Sequence, residues 1–198
     1  MPSEAGYSRR APVLIVVGGL PAAGKSSVAR TLAPRLRAAY VRIDSIEVAI
    51  DRAEGRSRET NGWDAPPGYA VGYAVAADQL RTGLDVVAES VNPLRASRDA
   101  WRDAGLAAGA DVLEVEVVCS DTDEHRRRAE ERVSDLEGLA LPRWEQIVNR
   151  EYERWDRDRI VVDTAVLGVD EAVRLLLHAH HQQQCQDGEY PEEQPDRL

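Results

Sequence analysis

The densest concentration of chemistry in this 198-residue chain is one run of eight residues, Gly19-Leu20-Pro21-Ala22-Ala23-Gly24-Lys25-Ser26. It satisfies the pattern G-x-x-x-x-G-K-S/T, in which backbone N–H groups at the start of a helix converge on a phosphate and the positive helix end favours an anion. The glycines let the backbone approach oxyanions without a Cβ in the way. That chemistry makes Gly19, Pro21, Ala22, Ala23, Gly24, Lys25, Ser26 and Ser27 a binding set for the phosphates of ATP or GTP. Lys25 would neutralise the β and γ oxygens and act on the transferring group, and the Ser26 hydroxyl would ligate Mg²⁺. An accidental match in a turn is the competing reading; a buried strand before the run and a helix after it speak against it.

Carboxylates and arginines form the second group of candidates. Asp44 directly follows the strand-like Tyr40 to Ile43, and ligands of parallel sheets bind at the carboxyl ends of strands. There it could take the proton of an attacking hydroxyl or hold Mg²⁺ through water, or it could simply cap the helix that follows. Glu89 ends a third strand, after Asp85-Val86-Val87-Ala88, and is expected to serve Mg²⁺ or the substrate. Asn92, with Pro93 beside it, either lines a substrate pocket or makes a turn, and Arg42 and Tyr73 complete the expected substrate set. In His125-Arg126-Arg127-Arg128 and Arg132, the spacing of four places Arg128 and Arg132 on one helical face. Guanidinium groups clamp phosphoryl oxygens, so these two are the expected catalytic arginines of a closing lid; the alternative is a solvated helix paired with Glu130 and Glu131. Trp144, Tyr152 and Trp155 read as core aromatics, and His178, His180 and His181 as solvated side chains rather than metal ligands.

The elements that must position these residues alternate between strand and helix. Val13 to Val17 is a continuous apolar run of the kind that forms a buried parallel strand. Helical periodicity follows over Ser26 to Ala38, with Pro34 as an internal discord. Then come a strand over Tyr40 to Ile43, a helix over Ser45 to Arg52, a loop from Gly55 to Gly68, and a helix over Tyr69 to Arg81. Leu84 to Ala88 is the third strand, Arg95 to Ala108 a helix, and Val112 to Val118 an alternating strand. Asp121 to Val133 reads as a charged helix with Ser120 and Asp123 as its start signal, and Pro142 opens a helix running to about Trp155. A strand over Ile160 to Val162 and a helix over Asp170 to Ala179 complete the series. This alternation predicts right-handed crossovers and a mainly parallel sheet covered on both faces. Residues 1–11 are expected to be a flexible N-terminus, 12–181 one domain with its lid at about 121–142, and 182–198 a disordered acidic tail, because Gln182 to Leu198 offers little to bury.

Composition narrows the partners. With 25 Lys and Arg against 35 Asp and Glu, the formal net charge is −10, the wrong sign for holding a nucleic acid through counterion release. Lys25 is the only lysine and phenylalanine is absent. A switch GTPase is disfavoured, since its guanine-reading N-K-x-D motif needs a second lysine. No apolar run approaches the ~20 residues needed to span a bilayer, and Met1 to Arg10 lacks a secretory apolar stretch, so a cytoplasmic protein without membrane contact is expected. Cys119 and Cys185 lie in contexts that frame no disulfide. The acceptor, the choice of ATP or GTP and the oligomeric state, a homodimer included, stay open at this level.

At the phosphate loop, at Ile43-Asp44-Ser45 and at Arg126 to Arg132, the chain resembles the small-molecule kinases of the P-loop superfamily. These include the chloramphenicol phosphotransferase-like group, with nucleoside-antibiotic kinases such as capuramycin phosphotransferase, together with gluconate kinase and adenylylsulfate kinase. The likeness runs over about Val13 to Thr164. It implies an α/β P-loop NTPase fold: a three-layer sandwich with a five-stranded parallel sheet in the order 2-3-1-4-5 and an arginine-rich lid. It also implies a base at Asp44, Mg²⁺ as cofactor, a nucleoside triphosphate as donor and a hydroxyl-bearing small molecule as acceptor. Two departures stand out: Glu89 where many relatives have Asp, and Asn61 to Tyr73, which has no counterpart in the chloramphenicol enzyme. A non-enzymatic or regulatory P-loop ATPase is the alternative class.

Overall fold

A computed structural model describes residues 10–55 and 67–186. The element order is β1 (Val13–Gly18), α1 (Lys25–Leu36), β2 (Ala39–Arg42), α2 (Ile43–Glu54), α3 (Pro67–Arg81), β3 (Val86–Glu89), α4 (Arg95–Ala107), β4 (Asp111–Val118), α5 (Thr122–Glu131), α6 (Trp144–Val148), β5 (Ile160–Asp163) and α7 (Val169–Gln186). The five strands form one sheet in the order β2-β3-β1-β4-β5, and each neighbouring pair is parallel. The expected three-layer P-loop NTPase fold and strand order are therefore present.

β1 lies at the centre and is buried along its whole length, which is why it reads as an unbroken apolar run. Its side chains divide between two cores. Val13, Ile15 and Val17 pack with Val28 and Leu32 of α1 and Val173 and Leu176 of α7. Leu14 and Val16 pack on the other face with Tyr69, Ala76 and Leu80 of α3 and Trp101 of α4. Pro34 sits inside α1 without ending it; the helix closes three residues later at Arg37, which adopts the left-handed conformation.

Several boundaries differ from expectation, each for a physical reason. α2 begins at Ile43, so Asp44 occupies the first turn of a helix, and the expected loop from Gly55 to Gly68 falls mostly outside the described residues. α5 is capped by Asp121, whose carboxylate accepts from the N–H groups of Asp123 and Glu124, and not by Ser120 or Asp123. α5 also ends at Glu131, leaving Arg132 in extended conformation. The helix expected from Pro142 to Trp155 is a short α6, and the residues after it run in irregular conformation against the start of α4. There the fully buried Arg98 donates to the carbonyls of Glu153 and Arg154 at 3.1 and 3.2 Å, and its guanidinium lies 4.7 Å from the Trp155 ring centre. β4 alternates because Glu114 and Glu116 meet this segment, with Arg159 donating to Glu116 at 2.6 Å, while Val115 and Val117 face the other core.

α7 runs to Gln186 and so takes in the first five residues of the expected tail. His180 is not solvated: it is 4% exposed and its Nε2 lies 2.9 Å from Asp85 Oδ2. At the other terminus Arg10, placed in the flexible segment by the sequence, pairs with the same carboxylate. Cys119 and Cys185 are both free. Among the described residues no helix is long and apolar enough to cross a membrane.

Candidate functional site

The carboxyl ends of β1, β2 and β3 and the loop after β5 converge on a cavity of about 450 Å³. Its wall includes Ala22, Gly24, Lys25, Ser26 and Ser27 from the phosphate loop, Arg42 and Asp44 from the β2–α2 junction, Glu89 from β3, and Arg128 and Arg132 from α5 and its end. Two glycines make the loop possible. Gly19 has φ of +136° and a Cβ there would stand 2.1 Å from the Val117 carbonyl oxygen, while Gly24, at φ +100°, caps α1 against the Thr164 side chain. Pro21 and Ala23 turn inward; their carbonyls accept from His125 Nε2 and Thr164 Oγ1, each at 2.8 Å.

Lys25 is 8% exposed and donates to the Leu20 carbonyl at 2.9 Å. Burial lowers its pKa to about 8, against the opposing pull of the Glu89 and Asp44 charges. Glu89 is buried at the cavity floor, where one carboxylate oxygen accepts from the Ser26 hydroxyl and the other from Tyr40. The Tyr40 phenol is correspondingly pushed far up, by burial and by that carboxylate. Ser26 and Glu89 present adjacent hard oxygens beside the phosphate loop, a donor set that fits Mg²⁺. Among the described residues no group of three or more His, Cys, Asp or Glu could hold a metal, so a cation here would draw its remaining ligands from phosphate and water.

Asp44 is half-exposed, and among the described residues Arg42 is paired with it at 3.9 Å. The two arginines of α5 differ sharply. Arg128 is fully engaged: Nε donates to Glu124 at 2.7 Å, Nη1 to Thr164 Oγ1 at 2.8 Å and Nη2 to the Thr164 carbonyl at 3.1 Å. Arg132 has buried Nε and Nη2 groups without hydrogen-bond partners, and burial lowers its pKa while the Asp44 charge opposes that. Buried, unpaired guanidinium N–H groups beside a phosphate loop are ready donors to anionic oxygen.

Two expected substrate residues are not brought to this cavity. Asn92 is fully buried, with Oδ1 accepting from Ser90 and from Trp101 at 2.8 and 3.1 Å. Tyr73 stands edge-on to Trp101, ring centres 4.7 Å apart, and donates to the Ser97 carbonyl at 3.3 Å. Both complete the α3/α4 packing. Conversely, Arg30, Asp135 and Thr164 line the cavity and were not singled out from the sequence. Arg30, one helical turn after Ser26, was within reach of a periodicity argument; Asp135, in an irregular segment, carried no local signal.

Several solved structures share this fold. The APS kinase CysC of Mycobacterium tuberculosis, in complex with AMPPNP and APS, superposes with a TM-score of 0.64 at 20% identity, covering 87% of this chain and 98% of that one. A gluconokinase from Sinorhizobium meliloti 1021 gives 0.59 at 20% identity, over 90% and 97%. Kti12 of Chaetomium thermophilum, in complex with ADP-AlF3, gives 0.62 at 20% identity, over 86% and 98%. At such identities the likeness is one of fold. No curated protein matches the chain in sequence. A family model does match, over residues 14–145, which span the phosphate loop, Asp44, Glu89 and the arginines of α5, and by that match the chain belongs to the AAA domain family.

Proposed function

We propose that the chain is a kinase that moves the γ-phosphoryl group of ATP or GTP onto a hydroxyl of a small molecule, within the chemistry of antibiotic and nucleoside-type acceptors. One observation carries the reading: a phosphate loop, a half-exposed carboxylate and a guanidinium with two buried, unpaired N–H groups face one cavity. The loop N–H groups and Lys25 hold the phosphates, and Asp44 orients the acceptor hydroxyl and takes its proton as the oxygen attacks. Arg132 meets the charge that develops on the transferring group, where a preorganised cation in a buried site acts most strongly. Ser26 and Glu89 would hold Mg²⁺, which supplies charge neutralisation at the β and γ oxygens. Arg128 braces the phosphate loop through Thr164.

The test is mass spectrometry of a panel of hydroxyl-bearing metabolites and antibiotics incubated with the protein, Mg²⁺ and either triphosphate. A gain of one phosphate on an acceptor supports the reading, and the mass identifies the acceptor. The likeness to Kti12 motivates a second reading, a nucleotide-hydrolysing or regulatory module. Triphosphate turnover that proceeds equally with and without every acceptor would favour that reading.

A further inference from the structure

The segment joining α5 to α6 lies over the cavity and is fastened by carboxylates. Asp135 accepts from Arg42 Nη1 and Nη2 at 2.8 and 3.1 Å and from Arg30 Nη1 at 2.9 Å. Two residues further on, Glu137 receives Arg52 of α2 through both its carbonyl and its carboxylate. The lid segment is thus tied to α1, β2 and α2 by ion pairs, and the Asp135 tie lies inside the wall that also holds Asp44.

This tie has the form of a ligand contact. The Arg42 side chain is 9% exposed, lines the cavity, and offers two N–H groups to one carboxylate while its buried Nε has no partner. A forked guanidinium of this kind recognises carboxylate, phosphate and sulfate oxygens alike. The charge balance points the same way. Arg42 is paired with Asp44 at 3.9 Å and with Asp135, which also holds Arg30. If the lid opens with a neutral acceptor in place, Arg42 loses its forked partner and keeps only the 3.9 Å contact with Asp44, and the half-exposed Arg30 loses its carboxylate. An acceptor with its own oxyanion restores the balance.

Resting on the kinase reading above, we propose that Asp135 is an internal stand-in for an anionic group of the acceptor. The acceptor class is then a hydroxyl compound bearing a carboxylate, phosphate or sulfate, whose oxyanion displaces Asp135 from Arg42 and Arg30. Binding exchanges one carboxylate for another and releases the lid segment, so the empty site holds itself shut.

Anion binding tests this without turnover. The full chain is loaded with Mg²⁺ and a non-hydrolysable triphosphate, so that the phosphate loop no longer takes the probe. It is then titrated by calorimetry with sulfate or malonate at constant ionic strength. Asp135→Asn should bind the probe about tenfold more tightly than wild type, since a competing charge-assisted contact has been removed. Asp135→Asn combined with Arg42→Gln should lose that gain. Preference for sulfate or for malonate separates a tetrahedral from a carboxylate group on the acceptor. In wild type, saturating probe should accelerate amide exchange over residues 133–139, a readout that does not depend on the variants folding. An affinity unchanged in Asp135→Asn, a gain that survives Arg42→Gln, or lid exchange unaffected by the probe would each overturn the proposal. Phosphoryl transfer to an acceptor with no anion gain overturns this inference alone; an anion gain with no transfer to any acceptor overturns the kinase reading alone.

Discussion

Burial separates the two carboxylates that flank the phosphate loop: Asp44 is 47% exposed at its side chain, and Glu89 is 2% exposed with both oxygens occupied by hydroxyls. A base must meet an acceptor that enters from solvent, while a metal ligand can stay at the cavity floor. Asp44→Asn should therefore lose about 10² to 10⁴ in phosphoryl transfer with little change in triphosphate affinity. Glu89→Gln should show a defect that rising Mg²⁺ partly relieves. If Asp44→Asn keeps near-normal turnover while Glu89→Gln is inactive at every Mg²⁺ concentration, the two roles must be exchanged. At Lys25 the expectation is a folded but inactive Lys25→Ala, checked by circular dichroism and turnover together. Its pKa of about 8 adds a pH signature. In the free protein the ammonium charge is lost as pH rises through that value, whereas a bound triphosphate holds the proton on. Triphosphate affinity should thus fall about tenfold per pH unit above about 8, read from dissociation constants between pH 7 and 9.5.

At the scale of the element, α5 connects loop and lid by two different arginines. Helical spacing placed Arg128 and Arg132 on one face, but the helix stops at Glu131 and only its tertiary surroundings divide their tasks. Arg128, through Thr164, and His125, through the Pro21 carbonyl, brace the phosphate loop from α5. Arg132 leaves the helix with buried N–H groups unpaired. Arg132→Ala should lower kcat by about 10² to 10³ with a smaller effect on nucleotide binding, as for loss of one group that meets transition-state charge. Arg128→Ala should act chiefly on triphosphate affinity by loosening the loop. Steady-state kinetics paired with nucleotide titration separates the two, and equal effects on kcat would return Arg128 to the catalytic set.

For the whole molecule, the amino end of the sheet is closed by a polar staple whose parts are far apart in sequence. Asp85 accepts from the Val13 N–H at 2.8 Å, from His180 at 2.9 Å and from Arg10, joining both ends of the described chain to the central strands. Burial alone would raise the pKa of this carboxyl, but the bonds from His180, Val13 and Arg10 hold it below the usual carboxylate range. A depressed folded pKa contributes stability above the unfolded value near ~4 that is lost as pH falls through the folded value. Asp85→Asn should therefore lower Tm at pH 7 by roughly 4–8 °C, for a loss of about 2 kcal/mol, and the gap to wild type should close below about pH 4. The same staple moves the boundary of the tail. Gln184 lies 2.7 Å from His180 Nε2, so truncation after His181 should lower Tm, whereas truncation after Gln186 should leave Tm and activity nearly unchanged. Calorimetric melting of the two truncations checks both expectations.

The layered fold and the phosphate loop were legible in the sequence because both are written locally. A strand buried on both faces must be apolar throughout, and a loop that wraps an anion needs glycine where a Cβ would strike the Val117 carbonyl. Lys25, Ser26, Asp44 and Glu89 could be placed for the same reason, since each lies within a residue or two of a strand end or a helix start. Contacts across long sequence distances left no such mark. The pairing of His180 with Asp85, the capture of residues 153 and 154 by Arg98, and the meeting of Asp135 with Arg30 and Arg42 arise only when separate elements dock. Asn92 and Tyr73 had the chemistry of substrate residues, yet packing around Trp101 buries Asn92 with its Oδ1 on Ser90 and Trp101 and turns the Tyr73 hydroxyl to the Ser97 carbonyl. Residue type and spacing determine which groups can do chemistry; which of them remain free to do it is decided by the partners that tertiary structure brings against them.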